Sequence, residues 1–500
     1  MTDIPLLRQA CEWAVSLRLA DIPADVRDLA RAQLLSMDAA VHATLRHPVG
    51  DRLLGLAVAS ATPAGRGWAQ DAACHALLTM ALDFDETAFA GHLGHACAIP
   101  PLLAAAEVGA DGAATMTAQV AAAEVAARVT ASVTLGSARG QTAAHTHAAA
   151  AVVGCGLLLG FGAEQLSVAL SLALAQPRRV LPAAFMATDA KFWVAAGPIL
   201  DASRCLALAG AGGRGIDDLV EVHGGLLDQL AAVPLPGVFS GWGERWHLRT
   251  LSIKAIPGCA YLTAAVEAAA SLAPIDLDEV DSVEVAASIF TLGMEAESAP
   301  YMRRSKSPLP AIGFSVGYNV AAALESGGLD VDDLHGERLA SAARWELAGK
   351  LRLVHDVELT VRALSATAPV GAAIGRAGES ARAWLLSRGA TAEMVDRVLA
   401  AAAGDEEFEN PSKRLGARVQ VRLRDGRLIT AERDAAHGCC QESVADRLSL
   451  AETKFVAQAR PRIGARAEED VEAVLRYEGM TAAELRRWRG PRLHPAVSGI

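Results

Sequence analysis

Lysine is nearly missing from this 500-residue chain. It stands only at 191, 254, 306, 350, 413 and 454, while arginine supplies the other 40 of the 46 basic residues. Codon bias explains such a ratio, but not the places where the exceptions fall. Cysteine occurs at 11, 74, 97, 155, 205, 259, 439 and 440, with no C-x-x-C pair and no ligand spacing. The adjacent Cys439 and Cys440 suit neither an easy disulfide nor a zinc knuckle, so the cysteines read as reduced thiols of a cytoplasmic protein. A Gly-rich phosphate loop, a nucleophile elbow and an H-E-x-x-H helix are all missing, which disfavours nucleotide and zinc chemistry. A basic excess is missing too. The balance of 46 basic against 57 acidic side chains gives −11, which argues against a nucleic-acid partner and against an anionic membrane surface. The N-terminus carries Asp3, Arg8 and Glu12 and has no basic stretch ahead of an apolar run, so no signal peptide is expected.

Apolar residues are abundant, 52% against 21% charged, enough for a large packed core rather than disorder. The length allows two to four domains. The uncharged run 141–163 could span a bilayer by length. It opens, however, on Gln141, Thr142, His145, Thr146 and His147 and is rich in Ala and Gly, as in a buried helix of a large α-domain. Residues 1–255 show apolar side chains at helical spacing in segment after segment and almost no strand pattern, so they read as one all-α unit with an alanine-lined core. Beyond 255 the pattern changes. Residues 280–290 are strand-like, 353–363 alternate with period two, and 417–434 form a hairpin around Asp425-Gly426. A smaller α+β lid is expected over 256–436. Residues 437–500 return to the helical domain and end in a tail.

Five segments carry chemistry-bearing residues. In 75–95, His75, Thr79, Asp83 and Thr87 follow at i+4, sharing a face if the helix continues. A loop with His92 and His95 comes after them. The alternatives are a wetted cleft and a satisfied structural file. In 139–151, His145 and His147 open the buried helix; two histidines without a carboxylate make a weak metal signal, but imidazole is suited to proton transfer. In 187–197, Lys191 is the first lysine of the chain, flanked by Phe192, Trp193 and Val194. A buried lysine loses its proton, or binds a carboxylate as a compact charge, in ways arginine does not. In 251–265, Lys254 and Tyr261 flank a turn at the expected domain boundary, where clefts bind ligands. In 313–321 stands Tyr318, one of four tyrosines; an ordinary core tyrosine is the other reading.

Together ALDFDET, ATDAK, the K-x-x-P-x-C of Lys254–Cys259, FSVGY and the RLRDGR hairpin resemble the MmgE/PrpD family over about residues 6–460. That family includes 2-methylcitrate dehydratases, cis-aconitate decarboxylases and iminodisuccinate epimerases. The resemblance implies a large all-α domain with a smaller α+β lid, a homodimer, an active site between the two domains, and neither cofactor nor metal. By position, Asp83 and Thr87 match the family's acidic and hydroxyl site residues, Lys191 and Lys254 its site lysines, and Tyr318 its lid tyrosine. His92 and His95 are both candidates for its loop histidine. Gln141 stands where the family usually has a histidine, beside Thr142, with His145 or His147 as substitutes. Thr263 stands where another histidine is frequent. Residues 366–412 look like an insertion in the lid. The implied activity is a lyase on a small di- or tricarboxylate, by dehydration or decarboxylation. Lys191 and Lys254 would grip carboxylates, Asp83 would orient a partner, His92, His95, His145 or Tyr318 would move protons, and Thr87, Gln141, Thr142 and His147 would bind substrate. An isomerase or epimerase, or a non-catalytic member, are the alternatives.

Overall fold

A computed structural model of the chain describes residues 4–59, 67–88, 91–136, 143–178, 180–402 and 410–489. The fold is mainly α with a small α+β part. Two apolar clusters organise it.

The larger cluster is built by α1 (Ala24–Arg46), α2 (Trp68–Ala81), α3 (Gly112–Ser132), α4 (Ala143–Leu158) and α5 (Ala190–Gly210). Local chemistry starts these helices. Pro23 precedes α1, with Asp25 in its first turn, and the Asp111 carboxylate accepts from the Ala114 amide at 2.9 Å ahead of α3. Small residues let the helices close on one another. A Cβ at Gly154 of α4 would lie 2.5 Å from Pro101 Cγ and 3.1 Å from the Ala122 Cβ of α3. The apolar run that opens at 141 is indeed a buried helix from Ala143 onward, not an exposed one. Among the described residues, α5 is long and apolar enough to cross a membrane, but 56% of its apolar window is buried in the fold.

Two short strands tie the middle of the chain to its start. β1 (Glu86–Thr87) pairs antiparallel with β2 (Ser252–Ile253), Glu86 opposite Ile253 and Thr87 opposite Ser252. After β2 a turn at Gly258, with φ +105, brings the backbone against Gly313; a Cβ there would stand 3.0 Å from the Gly313 carbonyl oxygen. The smaller cluster follows. It holds α6 (Thr263–Ala270), α7 (Val316–Ser326) and a sheet of β3 (Val280–Ala287), β4 (Leu351–His355), β5 (Ala417–Leu423) and β6 (Leu428–Arg433). The strand order is β4-β3-β5-β6, parallel between β3 and β4 and antiparallel elsewhere. β5 buries Ala417, Val419, Val421 and Leu423 in strict alternation, and Gly426 takes φ +90 in the turn to β6. Leu82 and Phe84 join this second cluster, so the lid packs on the segment that follows α2. Finally α8 (Val444–Ile463) lies along α1, where Arg46 donates to Gln458 at 2.7 Å.

Two expectations change. The period-two stretch 353–363 is a strand only as far as His355. The Asp356 carboxylate then accepts from the Glu358 and Leu359 amides and starts a helix over Val357–Ser365, so N-capping overrides the alternation. And the segment from 357 to 402, expected within the lid, sends Val361, Leu364, Ile374, Leu385 and Val395 into the larger cluster. Trp384 Nε1 donates to the Gly136 carbonyl at 2.9 Å. Residues 357–402 therefore pack with the helical body.

One buried ion pair holds the approach to β2. Glu124 of α3 accepts from Arg128 at 2.7 Å and from the His247 and Leu248 amides at 2.9 Å each. Burial pushes the Glu124 carboxyl up, but His247, Arg128 and the Leu248 amide outweigh it and bring it to about 2, from 4.5. Glu124→Gln is expected to lower stability by about 3–5 kcal/mol, the cost of leaving one buried partner alone, measured by urea unfolding at pH 7. Because the folded value is depressed, the contribution is present above pH 4.5 and fades as pH falls toward 2. The variant should show less loss across that window. Equal acid sensitivity in parent and variant would refute the assignment.

Candidate active site

Helix α2 stops at Ala81, and Asp83 lies beyond it with φ +52, a left-handed conformation that aspartate tolerates better than most residues. The i+4 file is thus broken after Thr79. His75 and Thr79 lie on α2, Asp83 is in the turn, and Thr87 is in β1. The turn aims both the carbonyl and the carboxylate of Asp83 at Lys254. Lys254 Nζ donates to Asp83 O at 2.8 Å, to Asp83 Oδ1 at 3.1 Å and to Asp85 Oδ1 at 2.8 Å. Lys191, at the start of α5, places Nζ 3.4 Å from Asp83 Oδ2 and donates to Met80 O at 2.9 Å. The two lysines, 63 positions apart in the chain, therefore meet on one buried aspartate.

Asp85 is the second hub. Its Oδ2 lies 2.5 Å from His92 Nδ1 and 2.9 Å from His95 Nε2. His95 Nδ1 lies 2.5 Å from Thr79 Oγ1. With the His95 proton on Nε2, Thr79 donates to Nδ1 and the ring is fixed. His95 is fully buried, whereas the His92 side chain is 29% exposed. The His147 ring packs edge-on against His95, centroids 5.5 Å apart. His145 and His147 are buried, and among the described residues their nitrogens have no hydrogen-bond partner. Gln141 and Thr142 lie outside the described residues. Tyr318 is not brought to the lysines. It is buried in the lid core, stacked on Trp345 with centroids 4.6 Å apart, and its hydroxyl donates to the Asp333 carbonyl. Its contacts fit the core reading of this tyrosine.

Two further lysines reach the same loop. Lys454 of α8 donates to Ser36 Oγ at 2.9 Å, Phe84 O at 2.6 Å and Asp85 O at 3.2 Å. Lys413, four residues before β5, donates to Thr87 Oγ1 at 2.6 Å. Neither was picked out from sequence, nor was Asp85. The signal for the lysines was their rarity. Asp85 was hidden because a continuing helix would turn it away from Asp83, whereas the left-handed turn at Asp83 brings both carboxylates onto Lys254.

Electrostatics follow from burial. Desolvation pushes the Asp83 carboxyl up, but Lys191 and Lys254 outweigh it and hold it below the ordinary value. Asp85 is held well below, since His92, Lys254 and the two imidazole hydrogen bonds overcome the same desolvation. Burial lowers Lys254, and the two aspartates more than reverse this, so it stays charged. Burial alone drives His145 down to about 3, and pushes His147 well below its usual range with help from the neighbouring histidines. Burial also lowers Lys454, to about 7. Asp85, His92 and His95 have one ligand atom each within 4.8 Å of the others, which a metal ion could share. The Lys254 ammonium on the other oxygen of Asp85 opposes a cation there. The set is better described as two imidazoles hydrogen-bonded to one carboxylate. Beside it, Thr87, Lys254, Thr263 and Lys413 line a cavity of about 30 Å³, room for about two waters.

Residues 8–235 match the family model described as the MmgE/PrpD N-terminal domain. No curated protein matches the chain.

Asp85→Asn should destabilise the fold by about 3–5 kcal/mol, because Lys254 loses its shortest carboxylate contact in a buried place. Urea unfolding measures it; a cost under about 1 kcal/mol, typical of surface pairs, would mean that Asp85 is solvated in solution.

Proposed function

We propose that this chain, which belongs to the MmgE/PrpD family by its residues 8–235, is a lyase that transfers a proton at the carbon α to a carboxylate of a small di- or tricarboxylic acid and expels water or carbon dioxide. The observation that carries this reading is the meeting of Lys191 and Lys254 on Asp83 beside the Asp85–His92 pair.

The chemistry needs three things. The first is a place for negative charge. When an α-proton leaves, a second negative charge develops on the neighbouring carboxylate. Two fixed ammonium groups in a water-poor cleft lower the cost of that charge without reorganising. The second is a base. Asp85 accepts the Nδ1–H of His92, which leaves the lone pair on Nε2 to take the proton; His92 is also the histidine of the cluster that reaches solvent. The third is a path out for the leaving group. In dehydration the C–H pair becomes the double bond, the C–O bond breaks, and the protonated histidine returns its proton to the departing hydroxide, so that water leaves. In decarboxylation the C–C pair stays on carbon as CO2 departs, and a proton is delivered there. Tyr318 has no part in either route, since its hydroxyl is committed to the Asp333 carbonyl in the lid core. The cavity has room for about two waters, so substrate entry requires the lid to move away from the loop at 82–87 and return.

The test is turnover of a panel containing methylcitrate, citrate, cis-aconitate and related acids. Lys191→Ala and His92→Gln should each lower the rate on the consumed acid by about 10²–10⁴-fold, the usual worth of a positioned proton carrier or charge donor. Unchanged turnover in both would refute the reading. Incorporation of solvent deuterium into recovered acid without net product would replace the lyase by an isomerase. Thermal stabilisation by an acid with no turnover at all would leave a binding protein.

A further inference from the structure

The four buried lysines are not satisfied alike. Lys254 faces two carboxylates, Lys191 faces one, and Lys454 has three oxygen acceptors for its three N–H groups. Lys413 is 6% exposed, and its Nζ has one partner, the neutral hydroxyl of Thr87. Among the described residues no carboxylate lies within ion-pair distance of it. Glu86, the nearest acid in sequence to Thr87, gives its Oε1 to Gln33 and to the Leu93 and Gly94 amides instead. The Lys413 backbone is pinned as well, its amide donating to Gln441 Oε1 at 2.9 Å. This is an amine held in place, out of water, with donors to spare; burial lowers its pKa against weaker upward pulls from Cys440 and Glu86, so an anion in the cavity would be needed to keep it fully charged.

A buried charge without a counter-charge is destabilising, and folds do not keep one without a gain elsewhere. Lys413 lines the same cavity as Lys254 and Thr87. Lys254 directly follows β2, in the helical body, whereas Lys413 comes from the irregular segment that leads into β5 of the sheet. The cavity is therefore flanked by one cation from each part of the molecule.

We propose that Lys413, with the Thr87 hydroxyl, forms a second anion subsite that receives a carboxylate of the substrate other than the one gripped by Lys191 and Lys254. This rests on the polycarboxylate reading above and deepens it: the substrate carries at least two carboxylates, spaced closely enough to reach from Lys254 to Lys413 across one small cavity. The far carboxylate also links the lid to the body, because it completes the coordination of Lys413 when both parts enclose the acid.

The full-length chain tests it by calorimetric titration and thermal melting with tricarballylate, citrate, succinate and, as the single-carboxylate probe, propionate. Lys413→Met, with Lys413→Gln as the second variant should the first not fold, removes the charge and keeps much of the volume. Without ligand, the variant should melt at or above the parent temperature, since an unmatched buried charge has gone. Its affinity for tricarballylate and citrate should fall at least 10-fold, with the response to propionate unchanged. A variant that binds tricarballylate as tightly as the parent overturns the subsite and leaves the lyase reading standing. So does one that melts lower while its ligand response is unaltered, because the lysine is then structural. A parent that binds none of the acids overturns the lyase reading and the subsite together.

Discussion

The site depends on a single contact: the Lys254 ammonium held between Asp83 and Asp85. Each of the three charges would be costly alone in the interior. Together they satisfy one another, provided the backbone from 82 to 87 keeps its shape. That shape is supported from four directions. The pairing of β1 with β2 fixes the distance from Asp85 to Lys254. Lys191 holds the Met80 carbonyl at the end of α2, Lys454 holds the carbonyls of Phe84 and Asp85, and Lys413 holds the Thr87 hydroxyl. The loop is thus surrounded by four lysine amines from four distant parts of the chain. A buried cluster of this kind adds little net stability compared with a well-packed apolar one. What it provides is one fixed geometry for the groups gathered there.

Lysine suits these positions for a physical reason. A guanidinium is wide, planar and asks for a bidentate partner, whereas an ammonium is compact and can be shared by a carbonyl and two carboxylate oxygens within one turn. That is the coordination Lys254 has. In a chain that otherwise uses arginine, four of the six lysines lie where arginine would not fit, and the other two, Lys306 and Lys350, are exposed. Rarity in the sequence was therefore a readable sign of the site. It pointed to Lys191 and Lys254, and the same argument extended to all six would have reached Lys413 and Lys454.

Other parts of the site were not legible, each for a definite reason. Helical spacing put His75, Thr79, Asp83 and Thr87 on one face. The left-handed turn at Asp83 ended that register and made 83, 85 and 87 the working set, a change that depends on tertiary contacts from Lys254 and not on local propensity. Tyr318 became a candidate through the resemblance of FSVGY to the family, while the segment alone favoured an ordinary core tyrosine; its stacking on Trp345 and its bond to the Asp333 carbonyl fit the latter. The lid boundary was drawn where the composition changed, at 256, and the sheet does begin beyond it, with β3. What composition could not reveal is that 357–402 leaves the lid and packs on the body, because its apolar spacing is satisfied by either core. Histidine placement was harder still. His92 and His95 have similar surroundings in sequence, and they differ only in that the fold buries one and leaves the other at the surface of the cleft.

The charge balance of the whole molecule bears on how an anion is chosen. The chain carries −11 overall, so its average field repels a di- or tricarboxylate at long range. In physiological salt that field decays over about 8 Å, and the interior lysines are not screened in the same way. An acid at the mouth of the cleft feels the nearby ammonium groups more than the distant surface carboxylates. On the proposed reading, the site would not attract anions from afar; it would discriminate among those that arrive, by how many of its cations they satisfy at once. Asp83 and Asp85 set the threshold. They already neutralise much of the charge on Lys191 and Lys254, so a single carboxylate gains little by entering. On that reading a second carboxylate would need a cation that the aspartates do not reach, and among the described residues Lys413 lies beside the cavity and meets this condition.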